Sequence, residues 1–394
     1  MPGDTVQTGL QQMNSKQLIL HMFRGEAVDR VGFFEQTIAC SVASNILGRP
    51  AFTGGMGLQY HHACAWWEGD EANEAFVQQV RQDTVAIADV LGFDLIRPRE
   101  DLLTQRPTGR IDEYTFSFDD DTNADEKVMT FDPGAETWGP GNQPRRAFDL
   151  GGQVERMERE LKDLTDDALD AEASSLDWFV KTQGHLRAVT NATGFIMIPL
   201  EEPWLVACIE APALVERYLD CITERALRKL PFVKKHGADV IWAGGDFADN
   251  RGPIYGPQVF KKMVLPRLKR IVEKCHELEL PYVFRTDGKL WSIANELFVE
   301  SGIDGYGEID VEAGMDLGEL RQRYPRLVLC GNVSCSKVLQ FGSVDDVVRA
   351  TRDCIDKARG GGHIVGSSNS LVHGTPAANV FAMMRTAREY GELS

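Results

Sequence analysis

Four short segments decide the fold: PYVFRTDG (281–288), GIDGYGEID (302–310), LVLCGNVSC (327–335) and HIVGSSNS (363–370). Each is a short apolar or β-branched run, bounded by glycine, that ends in a group of polar residues. Such runs are typical of buried parallel strands. Polar residues placed directly after such strands are typical of the catalytic face of a (β/α)8 barrel. We therefore predict that this part of the chain supplies four strands of a barrel and much of its functional face.

Working outward, four further segments predict strands: residues 31–35, FDLIRPR (93–99), GFIMIPLEEP (194–203) and ADVIWAGGDFADN (238–250). Amphipathic stretches separate them, and the clearest helix pattern covers residues 71–92,. Eight strands alternating with helices predict a single TIM-type (β/α)8 barrel over residues 14–394, after a flexible tail at 1–13. No G-x-G-x-x-G follows a strand, so an open dinucleotide-binding sheet is not indicated.

Two segments fall outside the barrel pattern. Residues 104–140 predict an inserted β-hairpin around the acidic tip 119–126, which we interpret as a solvated turn in preference to a cation site,. Residues 41–70 contain five glycines, His61, His62, Trp66 and Trp67, and predict an ordered lid or pocket wall,.

Composition limits the classes of function. The net charge of −17 disfavours binding to nucleic acid or to an anionic membrane, and no apolar run is long enough for a transmembrane helix,. The first residues lack the apolar core of a signal peptide,. The eight cysteines are scattered without a CxxC pair, which is typical of reduced thiols,. We expect a cytoplasmic protein that acts on a small molecule.

The predicted site consists of the charged or amide side chains that follow the strands. They are Glu35, Arg97, Glu202, Asp246, Asp287, Glu308, Asn332 and Asn369. So many converging ionisable groups are costly in a pure binding scaffold unless they are paired, but are expected in an enzyme. Asp246, Asp287 and Glu308 are the predicted catalytic acids and the candidate metal ligands. Arg285 either binds a substrate carboxylate or neutralises a neighbouring acid.

Aromatic, histidine and cysteine residues are further candidates for the site. Trp66 and Trp242 are predicted to line an aromatic pocket. His373, just beyond the last strand, either faces the pocket as a proton donor or lies on the surface. Cys330 and Cys335 lack the spacing of a zinc clip, so core positions are the favoured interpretation,.

Five motifs carry a family resemblance: RGEAVDRVGF (24–33), GPIYGPQVFKKMVLPRLKRIV (252–272), VFRTDG (283–288), GNVS (331–334) and GGGHIVGSSNSLVHGTPAANVFAMM (360–384). Together they resemble the uroporphyrinogen decarboxylase-like superfamily, which includes tetrapyrrole decarboxylases and corrinoid-dependent methyltransferases. The resemblance implies a (β/α)8 barrel, in agreement with the strand pattern.

Departures from the superfamily patterns narrow the reaction. The arginine-rich substrate motif of the decarboxylase is replaced by FFEQTIAC (33–40), and Asn369 stands where that enzyme has a histidine. The zinc-binding His and Cys of the thiol-directed methyltransferases are replaced by Arg285, Asp287 and Asn369. The remaining T-D-G and S-S-N-S motifs look most like the branch that demethylates methyl ethers.

The first hypothesis is therefore an O-demethylating methyltransferase component. The resemblance implies that it passes a methyl group from an aryl ether-like donor to cobalamin on a partner corrinoid protein, and it leaves zinc open although the usual Cys and His ligands are absent. The alternative is a decarboxylase of a tetrapyrrole or other multi-carboxylate substrate, in which Arg97, Arg99 and Arg285 bind carboxylates. A third class, a non-catalytic barrel, would tolerate alanine at Asp246, Asp287 and Glu308.

Overall fold

The computed structural model describes residues 13–99, 102–119, 127–140 and 149–393. Within these ranges the helices are α1 (Ser15–Arg24), α2 (Cys40–Leu47), α3 (Gly55–Glu68), α4 (Asp70–Leu91), α5 (Leu150–Asp163), α6 (Asp166–Ala173), α7 (Asp177–Gln183), α8 (Glu202–Glu210), α9 (Pro212–Lys235), α10 (Pro257–Val259), α11 (Leu265–Glu277), α12 (Leu317–Arg323), α13 (Val344–Ala358) and α14 (Ala377–Tyr390). The strands are β1 (Gly32–Phe33), β2 (Leu95–Ile96), β3 (Gly109–Arg110), β4 (Thr115–Phe118), β5 (Lys127–Asp132), β6 (Thr137–Pro140), β7 (Ala188–Asn191), β8 (Val240–Gly244), β9 (Tyr282–Arg285), β10 (Gly305–Gly307), β11 (Val328–Cys330) and β12 (His363–Val365).

Eight strands form a nearly closed parallel ring, which confirms the predicted (β/α)8 barrel. Their order is β1-β12-β11-β10-β9-β8-β7-β2, and every paired neighbour is parallel. All five residues of β8 are buried, as expected for a strand covered on both faces,. Because parallel strands end at the same edge, the loops after them share one face of the barrel.

At the gap between β1 and β2 the ring is held by contacts of Asp94, which is 1% exposed. Its backbone N–H donates to the Phe33 carbonyl at 2.9 Å, and its carboxylate accepts from the Phe33 N–H at 2.8 Å. Both carboxylate oxygens also accept from the Arg30 guanidinium, at 2.7 and 2.9 Å. A bidentate ion pair thus replaces the missing strand pairing at this seam.

The prediction of a strand at 194–203 is wrong. The third barrel strand is β7, with the sequence AVTN. Half of its residues are polar, a pattern more typical of a turn, yet all four are buried. The apolar run after it is irregular chain that crosses the end of the barrel, where Ile196 N–H donates to the Gly244 carbonyl at 2.7 Å. Pro199 and Pro203 lack the N–H that a central strand needs.

The segment 41–70, which was predicted as an ordered lid or pocket wall, consists mainly of helices. Most of α2 and all of α3 fall within it, and residues 48–54 separate the two helices. The aromatic side chains of α3 face the inserted region, since the rings of Tyr60 and Phe131 stack at 4.0 Å.

The insertion contains the predicted hairpin, because β4 and β5 pair antiparallel from Thr115–Thr130 to Phe118–Lys127. It is larger than predicted, since β3 and β6 complete a four-stranded antiparallel sheet. Residues 120–126 of the predicted acidic tip lie outside the described residues, as do residues 1–12 of the predicted tail.

Local signals in the sequence mark several helix ends. Ser343 and Asp346 form a capping box that begins α13,. A π-helical turn at Phe260–Val264 separates α10 from α11, shortly before Pro266,. The side chain of Asn14 caps the start of α1. No helix within the described ranges is long and apolar enough to cross a membrane.

Candidate active site

The carboxyl-terminal end of the barrel gathers five of the predicted residues around one buried side chain that was not predicted. The five are Glu35, Asp287, Glu308, Asn369 and Trp242, and the unpredicted one is Gln36, which directly follows Glu35. Gln36 is 8% exposed. Except for Asp287, these residues line a common small cavity at the end of β1, β10 and β12.

Gln36 connects three elements of the site. Its side-chain oxygen accepts a hydrogen bond from the indole N–H of Trp242 at 3.0 Å. Its side-chain nitrogen donates to Glu308 and, at 3.0 Å, to the backbone carbonyl of Asn369. Because the indole can only donate, it fixes the amide orientation and turns the Gln36 nitrogen toward the Glu308 carboxylate.

Arg285 neutralises an acid, which was one of the two predicted roles. Its guanidinium donates to the Glu308 carboxylate at 3.1 Å and lies 5.5 Å from the centre of the Phe195 ring. Glu308 has a φ of 60°, a backbone conformation that is strained for any residue except glycine,. The donors from Arg285 and Gln36 hold its carboxylate in this position.

Asp287 is the acid best suited to transfer a proton. It follows β9, is half-buried, and accepts a hydrogen bond from the Asn369 side chain at 3.0 Å. Burial, followed by the negative charges of Asp246 and Glu308, raises the pKa of Asp287 to about 6,. Asp246 itself is exposed and has no hydrogen-bond partner among the described residues.

Glu35 is more deeply buried than Asp287 and is only 4% exposed. The backbone N–H and the hydroxyl of Ser367 donate to its two oxygens at 2.6 and 2.7 Å. Burial raises the pKa of Glu35 to about 8, although the Ser367 contacts oppose the shift. Glu35 is therefore mainly protonated at neutral pH, when its own O–H can donate to the Ser367 oxygen.

The raised pKa of Glu35 predicts a pH-dependent stability. Between its ordinary pKa of 4.5 and its folded value of about 8, only the folded chain keeps the proton, so the free energy of unfolding falls as pH rises. The slope from this one group is up to about 1.4 kcal/mol per pH unit and vanishes above both values. We expect Glu35→Gln, which mimics the protonated acid, to remove this contribution in urea unfolding from pH 5.5 to 8.5. Parallel stability curves for the two proteins would contradict the assignment.

Arg97 and Arg99, which follow β2, form hydrogen bonds with the chain that follows β1. Arg97 donates to the Gln36 carbonyl at 3.3 Å and to the Thr37 hydroxyl at 3.4 Å. Arg99 donates to the same Gln36 carbonyl at 3.0 Å. They hold the chain that leaves β1, which gives them a structural role in the site.

Three predicted residues lie apart from this cluster. Asn332 is buried against α13, where its side chain donates to the Met315 carbonyl at 3.4 Å and accepts from the Cys354 thiol at 3.4 Å. Glu202 is exposed at the start of α8, because the strand expected before it is absent. Trp66 stacks with His62 at 5.0 Å on α3, and His62 stacks in turn with Phe76 of α4 at 5.6 Å.

His373 meets the insertion at the edge of the barrel. Its Nδ1 lies 3.0 Å from the Ser41 hydroxyl and 3.3 Å from Glu136, whose carboxylate also accepts from the Cys40 N–H at 2.7 Å. Glu136 thereby caps the start of α2 and fastens the inserted sheet to the barrel. Glu136 was not predicted, because nothing in the sequence indicates which turn residue reaches the barrel.

The donor set does not fit a zinc ion. Across the described part of the chain, no three His, Cys, Asp or Glu side chains are grouped closely enough to hold a metal. Glu308 is already paired with Arg285, and a zinc site needs three or four free ligands. We therefore derive no step through a metal at Asp246, Asp287 and Glu308.

The fold agrees with a solved methyltransferase from Methanosarcina mazei, with a TM-score of 0.64 over 96% of this chain and 99% of that one. At 16% sequence identity this likeness establishes the fold class alone.

Sequence comparisons add the family. Residues 201–390, just under half of the chain, match the family model for uroporphyrinogen decarboxylase (URO-D). The uroporphyrinogen decarboxylase of Synechocystis is 25% identical over 252 residues, covering 57% of this chain and 67% of that protein. The methylcobamide:CoM methyltransferase of Methanosarcina acetivorans is 23% identical over 191 residues, covering 48% of this chain and 53% of that protein. The chain thus spans about half to two-thirds of these relatives.

These findings confirm the resemblance. The chain is similar both to the uroporphyrinogen decarboxylase family and to a methylcobamide methyltransferase of the same superfamily.

Proposed function

We propose that the protein is a methyltransferase component that moves a methyl group from an uncharged methoxylated donor, such as a methoxyphenol, to a corrinoid on a partner protein. The observation that carries the proposal is Asp287, an acid with a pKa of about 6 at the carboxyl end of β9. Breaking a methyl–oxygen bond leaves an electron pair on the oxygen. A carboxylic acid that protonates this oxygen improves the leaving group.

In the proposed reaction, each residue of the site has a distinct role. Asp287 gives its proton to the ether oxygen, and the Asn369 amide, 3.0 Å away, orients the carboxyl group. The carboxylate of Glu308, held by Arg285 and Gln36, disfavours ionisation of Asp287 before the donor binds. The corrinoid, when its carrier is docked, supplies the nucleophile that accepts the methyl group.

The charge of the site supports an uncharged donor. Arg285 is paired with Glu308, and Arg97 and Arg99 face a backbone carbonyl. Asp246, after β8, is an exposed acid at this end. A donor carboxylate would therefore meet negative charge, which like-charge repulsion disfavours.

The test is methyl transfer from two matched donors to chemically reduced cobalamin. We expect demethylated product from 2-methoxyphenol, and at least about tenfold lower kcat/KM with 2-methoxybenzoate, equivalent to about 1.4 kcal/mol. No demethylated phenol in the presence of reduced cobalamin would overturn the proposal.

A decarboxylase of multi-carboxylate substrates is the second candidate. The URO-D family match and the Synechocystis relative favour it. It requires arginines that are free to bind carboxylates, whereas those in this site already bind protein groups. Loss of carboxylates from uroporphyrinogen upon incubation with the protein would support it.

The neighbouring Asp246 allows a test of the electrostatics. The charge of Asp246 raises the pKa of Asp287, so Asp246→Asn lowers it. Because the protonated form of Asp287 is the active one, activity is lost as pH rises through its pKa. We expect the fall in kcat to begin at lower pH in Asp246→Asn, measured as a kcat–pH profile from pH 4.5 to 8. The exposed Asp345→Asn, on α13, serves as the control, and an unshifted Asp246→Asn profile would contradict the coupling.

A further inference from the structure

We propose that a groove on the amino-terminal face of the barrel, opposite the candidate active site, binds a small organic anion with an apolar body. The groove has a volume of about 1120 Å³, comparable with the upper range of small-molecule sites,. Its lining includes the residues just before three barrel strands, namely Asp304, Leu327 and Gly362. The proposal is independent of the proposed function, which concerns the other end of the barrel.

The acids of the groove are already engaged by protein groups. Two acidic side chains line it, Glu26 and Asp304. Glu26 contacts His21 at 2.9 Å. Asp304 contacts His276 at 2.9 Å and also accepts from the Tyr282 backbone N–H at 2.7 Å. Neither acid forms an ion pair with an arginine of the groove in the part of the chain that the structure describes.

The groove is lined by more arginines than acidic side chains. The four that line it are Arg24, Arg323, Arg326 and Arg359. Arg323 binds Glu319 at 2.9 Å, and Arg359 binds Asp356 at 3.1 Å. Arg24 and Arg326 have no hydrogen-bond or ion-pair partner among the described side chains, although the protein carries a net charge of −17. Two uncommitted guanidinium groups facing one groove favour an anionic ligand.

An apolar wall stands beside these arginines. Phe298 lies under the groove with its ring 5.0 Å from that of Tyr324. Val299 is 56% exposed at the edge, and Phe23 and Leu393 complete the wall. A ligand that carries an aromatic ring and an acidic group matches both features, since the ring can pack on this wall while the acid contacts arginine.

The test uses 8-anilino-1-naphthalenesulfonate, an aromatic sulfonate, in fluorescence titrations with the folded protein. We expect saturable binding that Arg24→Gln/Arg326→Gln weakens by about tenfold, because two charge-assisted contacts are lost. The control is Arg156→Gln/Arg159→Gln on α5, which removes the same charge away from the groove and should leave the affinity within about twofold.

A second pair of variants tests location without changing charge. Val299→Trp narrows the groove and should abolish the saturable binding, whereas Ile209→Trp, at a site 83% exposed on α8, should not. Undetectable binding to the unchanged protein, equal losses in both arginine doubles, or full binding to Val299→Trp would each overturn the proposal. Because none of these measurements detects methyl transfer, failure of the groove proposal would be distinguishable from failure of the proposed function.

Discussion

Replacing Asp287 by asparagine is expected to lower kcat for methyl transfer by about 10²–10⁴-fold, the usual contribution of a general acid. Asparagine keeps the size of the side chain and a partner for Asn369, but it has no proton of suitable acidity to give. The effect should fall on kcat, with KM changed little, because protonation occurs in the transition state. Stopped assays of phenol release with saturating donor and cobalamin measure it.

A donor with a better leaving group provides the control for this variant. A methoxyarene whose phenol is strongly acidic needs little protonation, so the loss in Asp287→Asn should shrink with that donor. Equal losses with both donors, or a variant that retains most of the activity, would remove Asp287 from the proton-donor role.

Replacing Asp94 by alanine is expected to lower the free energy of unfolding by about 3 kcal/mol, the cost of breaking a buried ion pair and leaving its partners unsatisfied. The change leaves the Arg30 guanidinium without its bidentate partner and the buried Phe33 N–H without its acceptor. Urea unfolding followed by circular dichroism measures the difference.

The matched control is Glu158→Ala. Glu158 also forms a bidentate pair with an arginine, Arg217, at 2.7 and 2.8 Å, but both side chains are at least 40% exposed. An exposed pair contributes about 1 kcal/mol or less. Similar losses in the two variants would contradict the special role of the seam between β1 and β2.

The sequence was sufficient for the barrel because most of its strands are apolar and bounded by glycine. The exception, β7, shows the limit of this signal. AVTN is half polar, and only pairing with β2 and β8 buries its Thr190 and Asn191, which no local pattern reveals.

The site was predicted in part, because position after a strand indicates which end a side chain occupies but not where it points. Asp287 and Glu308 point into the mouth, whereas Asn332, placed in the same way, points to Met315 and Cys354. Gln36 follows Glu35 and could have been singled out as the second polar residue at that strand end. Its contact with Trp242 joins residues 206 positions apart, which only the three-dimensional fold establishes.

The most direct test of the central claim follows a methyl-labelled methoxyphenol in one reaction with the protein and reduced cobalamin, and measures where the label goes. The account predicts that the corrinoid gains as much label as the methoxyphenol loses. The rate of this transfer should fall as pH rises through about 6. Label that remains on the phenol, while the same preparation releases carbon dioxide from uroporphyrinogen, would contradict it and identify a decarboxylase.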